Sequence, residues 1–317
     1  MFLTILLIII GVAILIYGAD LLVKGAASIA KKLGISSIVI GLTVVAFGTS
    51  APELVVNLFS VTKGTTDLAI ANIIGSNIAN ILLILGITAI IFPLAVKKNT
   101  TYKEIPFALL AVAIVAIFGN DLLINGSGNN FLDRTEGITL VLFFIIFLYY
   151  TFGLSKIKGE HEEIKEYALG KSFLFFTVGL VALILGGKII VDNAVILARI
   201  AGMSERLIGL TIVAIGTSLP ELATSIVAAL RKQTDIAIGN VVGSNIFNIF
   251  WILGLIAIIK PIPFDININI DVLVSVIATL LLFFFMFIDD KHRLNRWQGF
   301  FFVLLYLGYL SFIIIKQ

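Results

Sequence analysis

The chain has 317 residues, of which 60% are hydrophobic and only 13% charged, with a net charge of +3 and a mean hydropathy of +1.14. A soluble domain carries about 25% charged residues, so this composition describes a polytopic membrane protein. The pI near 9.0 comes from loop lysines and arginines and is no sign of nucleic acid as a partner. With no cysteine, disulfides, thiolate metal sites and thiol chemistry are excluded.

A spanning helix needs about 20 mostly apolar residues. Segments near 2–18, 36–60, 66–93, 105–119, 137–154, 172–192, 207–230, 234–259, 270–288 and 298–315 fit or approach that length, ten in all. The first lacks a positive leader and a small-residue cleavage site, so it reads as a span and not as a signal peptide. The fourth opens at Pro106, as suits a first helical turn. With the N-terminus outside, the cytoplasmic connections hold fifteen lysines and arginines against six opposite. That positive-inside bias puts both termini on the extracytoplasmic side of the cell membrane. Five spans per half send the second half in from the opposite side. The expected fold is therefore all-α, ten transmembrane helices arranged as two inverted-topology five-helix repeats, 1–154 and 172–317, with a cytoplasmic linker at 155–171. Such repeats place a site near the midplane and alternate access around it.

The repeat is legible in the residues. Gly41–Glu53 (GLTVVAFGTSAPE) and Gly209–Glu221 (GLTIVAIGTSLPE) agree at ten of thirteen positions, and the same offset of 168 carries Asn72–Asn80 (NIIGSNIAN) onto Asn240–Asn248 (NVVGSNIFN). The motif regions are thus 41–80 and 209–248. An ionisable group at membrane depth costs about 2.5–3.5 kcal/mol even on insertion scales, so Glu53 and Glu221 read as functional. Thr49 and Ser50 lie four and three residues before Glu53, on its face of a helix. Pro52 has no amide to give the Gly48 carbonyl and crowds that turn. A carboxylate, two hydroxyls and freed carbonyls are hard oxygen donors, suited to calcium, magnesium or sodium. Asn72, Ser76 and Asn80 form a polar stripe on the next span, and Gly75 permits close helix approach. Thr217, Ser218, Pro220, Glu221, Asn240, Ser244 and Asn248 repeat the set.

Other polar residues read more plainly. His161, Glu162, Glu163 and His292 fit solvated connections. Asp20 and Lys188, at equivalent repeat positions, fit side chains snorkelling to the interface. Asp121, Asp133 and Glu136 fit an outer loop. Tyr149, Tyr150, Trp297, Tyr306 and Tyr309 are candidates for an interfacial belt, while Trp251 sits too deep for one and reads as packing.

GTSAPE/GTSLPE and GSNIAN/GSNIFN resemble the two alpha-repeats of the cation/calcium antiporter superfamily, in its prokaryotic sodium/calcium exchanger branch. The likeness covers the whole chain. It implies transport, not enzymatic catalysis, with no cofactor and with calcium and sodium as the transported ions. It implies calcium ligation by Glu53 and Glu221 with the carbonyls of Thr49 and Thr217. For sodium it adds the Ala46 and Ala214 carbonyls, Ser50, Ser218, Ser76, Ser244, Asn80 and Asn248. Asn248 stands where potassium-dependent members carry aspartate, which implies potassium independence. Ala71 replaces a glycine that Gly239 keeps, a packing effect. The resemblance further implies that the first and sixth spans slide against the core, gated at Gly18 and Gly186. Calcium/proton exchange on the same fold, a cation channel and a non-transporting scaffold are the alternatives. A lipid bilayer is the setting, and a monomer suffices for this reading.

Overall fold

The structure is a computed structural model that describes all residues except 63–65, 127–129, 156–164, 204–211, 213, 290 and 317. His161, Glu162, Glu163, most of the linker and the opening of the second motif therefore lie outside the described residues. Among the described residues, eight helices are long and apolar enough to cross a membrane, and a bent pair makes up to nine.

In chain order these are α1 (Phe2–Leu33), the bent pair α2 (Ser37–Thr49) and α3 (Ala51–Thr62), α4 (Ala69–Ile91), α5 (Thr100–Phe118), α6 (Arg134–Leu154) and α7 (Leu169–Ile200). The shorter α8 (Leu219–Leu230) follows, then α9 (Thr234–Ile259), α10 (Ile268–Phe285) and α11 (Arg296–Ile315). Two minute antiparallel pairs tie the connections together. β1 (Leu94–Ala95) pairs with β4 (Arg293–Leu294), and β2 (Phe131–Leu132) with β3 (Ile262–Pro263).

Burial sorts the helices. In α4 and α9, 78% of the apolar window is buried, against 22% in α1, α7 and α11. The first two form the centre, and the other three present most of their apolar surface outward, as a lipid-facing helix does. Within α4 and α9 the residues Ala79–Leu85 and Phe247–Leu253 are π-helical. Such insertions are rare and concentrate at functional sites.

Three spans run markedly longer than the sequence expectation. Helices α1 and α7 each run 32 residues, well beyond 2–18 and 172–192. At 1.5 Å per residue each is about 48 Å long, longer than a hydrocarbon core of about 30 Å. The charge at Asp20 does not end α1, because Leu22, Val23 and Ala26 beyond it are completely buried. Pro106 lies in the first turn of the α-helical stretch Ile105–Phe118, as expected, but that stretch is not the start of the span. A π turn over Thr100–Glu104 precedes it, which loosens the turn the proline ring would otherwise crowd.

α1 and α7 pack backbone to backbone through glycines. A Cβ at Gly179 would lie 2.4 Å from the Leu22 nitrogen, and one at Gly25 2.5 Å from that of Phe176. Gly18 and Gly186 belong to the same seam, facing Leu183 and Leu15. They join α1 to α7; they do not face the core.

Candidate functional site

The sequence of the motif breaks the helix where the chemistry is. Between α2 and α3 the axis bends by 44° at Ser50, whose φ of −82° and ψ of 6° leave the helical region. Ser218, before α8, repeats this with φ −88° and ψ 6°. Each break precedes a proline, which supplies no amide to the preceding turn. Glu53 and Glu221 then fall in the first turns of α3 and α8, where helix N-termini favour negative charge. Both are buried, 1% and 0% exposed.

The two breaks face each other and exchange hydrogen bonds. Ser50 Oγ donates to Glu221 Oε1 at 3.0 Å, and Ser218 Oγ donates to Glu53 Oε1 at 3.3 Å. Ser244 Oγ approaches the same Glu221 oxygen at 3.5 Å. Thr49 Oγ1 donates to Asn240 Oδ1 at 2.9 Å, and the Asn240 amide donates to the Glu221 carbonyl and to Ser225 Oγ. The Thr217 side chain faces the Glu53 carboxyl. The Ala46 carbonyl accepts from the Ser50 amide at 3.0 Å and from Thr49 Oγ1 at 3.3 Å. Ala214 opens the short helical turn Ala214–Thr217.

Across the middle of the molecule α4 meets α9. Asn77 Nδ2 donates to the Asn245 carbonyl at 3.2 Å, and Asn245 Nδ2 to the Asn77 carbonyl at 3.3 Å. Asn80 Nδ2 donates to Asn245 Oδ1 at 2.9 Å, and Asn248 Nδ2 to Asn77 Oδ1 at 3.0 Å. Gly243 seats α9 on α2, its Cβ position 2.6 Å from the Leu42 carbonyl. Gly75, expected to do the same for α4, has nothing among the described residues within 4 Å of its Cβ position. Gly239 lies 2.9 Å from the Ile38 carbonyl by the same measure, so a glycine is required there.

Among the described residues, nine buried side-chain atoms have no hydrogen-bond partner; five are the motif oxygens Glu53 Oε2, Glu221 Oε2, Ser76 Oγ, Asn80 Oδ1 and Asn248 Oδ1, and the others are Thr224 Oγ1, Glu104 Oε2, Asn57 Nδ2 and Trp251 Nε1. Buried polar atoms are normally paired. The five motif oxygens left bare, two of them on carboxylates, form a set of hard donors. Beside them, a cavity of about 620 Å³ is lined by Pro52, Thr217 and Pro220 at one end and by Lys188, Asp192 and Arg199 on α7 at the other.

The family model described as "Sodium/calcium exchanger protein" matches residues 3–153 and 171–315. The chain belongs to the sodium/calcium exchanger family. It is 30% identical to sodium/calcium exchanger MaX1 of Methanosarcina acetivorans, over 98% of this chain and 97% of that one. It is 37% identical to the putative antiporter CaxA of Alkalimonas amylolytica, over 95% and 96%. Among solved structures, the sodium-calcium exchanger NCX_Mj superposes with a TM-score of 0.84 at 34% identity, over 98% of both chains.

Several residues were read differently from the sequence. Asp20 does not snorkel alone: it pairs with Lys24 at 2.6 Å and with Arg231 at the end of α8. His292 is anchored, its Nδ1 3.0 Å from Thr101 Oγ1 and its ring edge-on to Tyr102. Trp251 packs on Phe144, as expected. Tyr150 and Tyr309 bond the carboxylates of Glu104 and Asp271. Glu104, buried in α5, was missed because the span was started one residue after it. Asn77 and Asn245 recur in the repeat but lie one position round the helix from the stripe of Asn72, Ser76 and Asn80, so helical periodicity does not single them out.

Proposed function

We propose that this chain is a secondary active antiporter that exchanges sodium for calcium, with both ions competing for one site between Glu53 and Glu221. The five unpartnered motif oxygens carry this reading. Two carboxylates neutralise one divalent cation, and calcium tolerates six to eight oxygens at about 2.3–2.6 Å, whereas magnesium gives up its water reluctantly. Glu53, Glu221 and the carbonyls of Thr49 and Thr217 serve calcium. Ser50, Ser218, Ser76, Ser244, Asn80, Asn248 and the Ala46 and Ala214 carbonyls complete the places that sodium takes. Asn248 in place of aspartate makes the exchange independent of potassium.

The architecture proposed is ten spans in two inverted repeats, 1–154 and 172–317, with both termini extracytoplasmic. In support, hydrogen bonds recur in pairs related by the 168-residue offset: Ser50 to Glu221 mirrors Ser218 to Glu53, and Asn77 to Asn245 mirrors its reverse. Alternating access follows if α1 and α7, locked by their glycine seam, move as one body past the core. The cavity reaching Thr217 from the C-terminal part of α7 is then the outward-facing route. An unloaded site carries two uncompensated charges, whose transfer through a dry barrier is prohibitive. Occupied states alone therefore switch.

The test is calcium uptake by sodium-loaded liposomes diluted into sodium-free buffer, with and without potassium. Uptake that needs internal sodium and ignores potassium is expected. Uptake driven only by a pH gradient reassigns the coupling ion to proton, and uptake without any counter-gradient makes the protein a channel.

A further inference from the structure

The four asparagines between α4 and α9 have a fixed polarity that follows from one fact: a backbone carbonyl only accepts hydrogen bonds. Because Asn77 faces the Asn245 carbonyl, it must turn its Nδ2 that way. Its Oδ1 then points at Asn248 and demands a donor, so Asn248 must turn its own Nδ2 inward. That leaves Asn248 Oδ1 on the other side, buried and unpartnered. The mirror chain runs from the Asn77 carbonyl through Asn245 to Asn80 and leaves Asn80 Oδ1 bare. An amide turned over would present two N–H groups, which repel a cation.

We propose that Asn77 and Asn245 are positioning residues that hold the side-chain amides of Asn248 and Asn80 with their oxygens toward the cation, each half of the molecule orienting a ligand of the other. The proposal rests on the ion site described above. Each half-site is incomplete without its opposite, because Asn77 of the first half sets Asn248 of the second. All four asparagines are buried, at most 4% exposed, so water does not take over the orienting bonds.

The experiment is a double-mutant cycle on Asn77→Leu and Asn248→Ala, read as the half-saturating internal sodium concentration (the sodium KM) and the maximal rate of sodium-driven calcium uptake, with melting temperature recorded alongside. Asn77→Leu should raise the sodium KM about tenfold, the effect of losing one orienting hydrogen bond. In the Asn248→Ala background there is no amide to orient, so the same substitution should leave KM unchanged. Equal KM effects in both backgrounds would overturn the proposal, as would a KM unmoved by Asn77→Leu. If Asn77→Leu does not fold, Asn77→Ser carries the same cycle with a smaller cavity, and Asn245→Ser with Asn80→Ala repeats it on the mirror side. Failure of the ion site itself is separate: it would show as undiminished calcium exchange by Glu53→Gln.

Discussion

Glu53→Gln should make the ion-free protein more stable and the calcium-loaded protein less so. In the ion-free state, Glu53 and Glu221 are buried side by side, each with one carboxylate oxygen bare. Breaking a compensated buried charge costs several kcal/mol, so removing an uncompensated one should return about 2 kcal/mol, a melting temperature a few degrees higher. Calcium reverses the sign. At about 2.4 Å and an effective dielectric of about 20, a divalent ion and one carboxylate attract by about 14 kcal/mol before desolvation. If only a fifth survives the loss of hydration, calcium binding weakens about a hundredfold. At a calcium concentration of about 100 Kd, ligand stabilisation would then fall from about 2.7 to about 0.4 kcal/mol. Thermal unfolding of purified protein, with chelator and with calcium, measures both numbers. A variant that melts lower without calcium, or keeps the wild-type calcium shift, would refute the paired-carboxylate reading.

Gly179→Ala places a Cβ 2.4 Å from the Leu22 nitrogen. It should cost about 1–3 kcal/mol of stability and slow sodium-driven uptake at an unchanged calcium KM; a changed KM at full rate would disconnect the α1–α7 seam from movement. Asp20→Asn removes the pairs with Lys24 and Arg231, which are partly exposed. Its melting temperature should change by no more than about 1 kcal/mol equivalent, and a larger loss would show these charges to be sealed from water. Asp133 caps α6: its Oδ1 accepts from the Thr135 and Glu136 amides, while Glu136 Oε2 accepts the Asp133 amide at 2.8 Å. Asp133→Ala should cost about 1 kcal/mol. The Thr135 hydroxyl, and then the Glu136 amide, hold the Asp133 carboxyl below its usual value of 3.8. A depressed folded value contributes stability above the unfolded pKa, so the gap between wild type and variant should close as the pH falls below about 4. A gap that persists at pH 2 would locate the loss elsewhere.

The carboxylates and their hydroxyls were legible because duplication removed ambiguity. One GTSAPE in an apolar helix is a weak signal, but two at a fixed offset specify the residues that matter, and the structure puts Ser50 on Glu221 and Ser218 on Glu53. Which serine serves which glutamate was not legible, because that exchange depends on how the halves meet. The lengths of α1 and α7 were hidden for a related reason. Hydropathy reads a charge such as Asp20 as an exit from the membrane, whereas packing lets the helix continue once Lys24 and Arg231 answer that charge.

The asparagines show most clearly where reading by helical face stops. Periodicity put Asn80 and Asn248 on a polar stripe and the family resemblance implied a place for them among the sodium ligands, but an amide has two ends, and no spacing rule says which end turns inward. That choice is made by Asn77 and Asn245, one position round the helix from Ser76 and Ser244, through bonds that cross from one half to the other. A site built from neutral amides therefore needs its second half in order to be a cation site at all. Carboxylates, which present oxygen at either end, do not. If duplication supplied the matching halves, the amide ligands are the part of the site for which both copies are required.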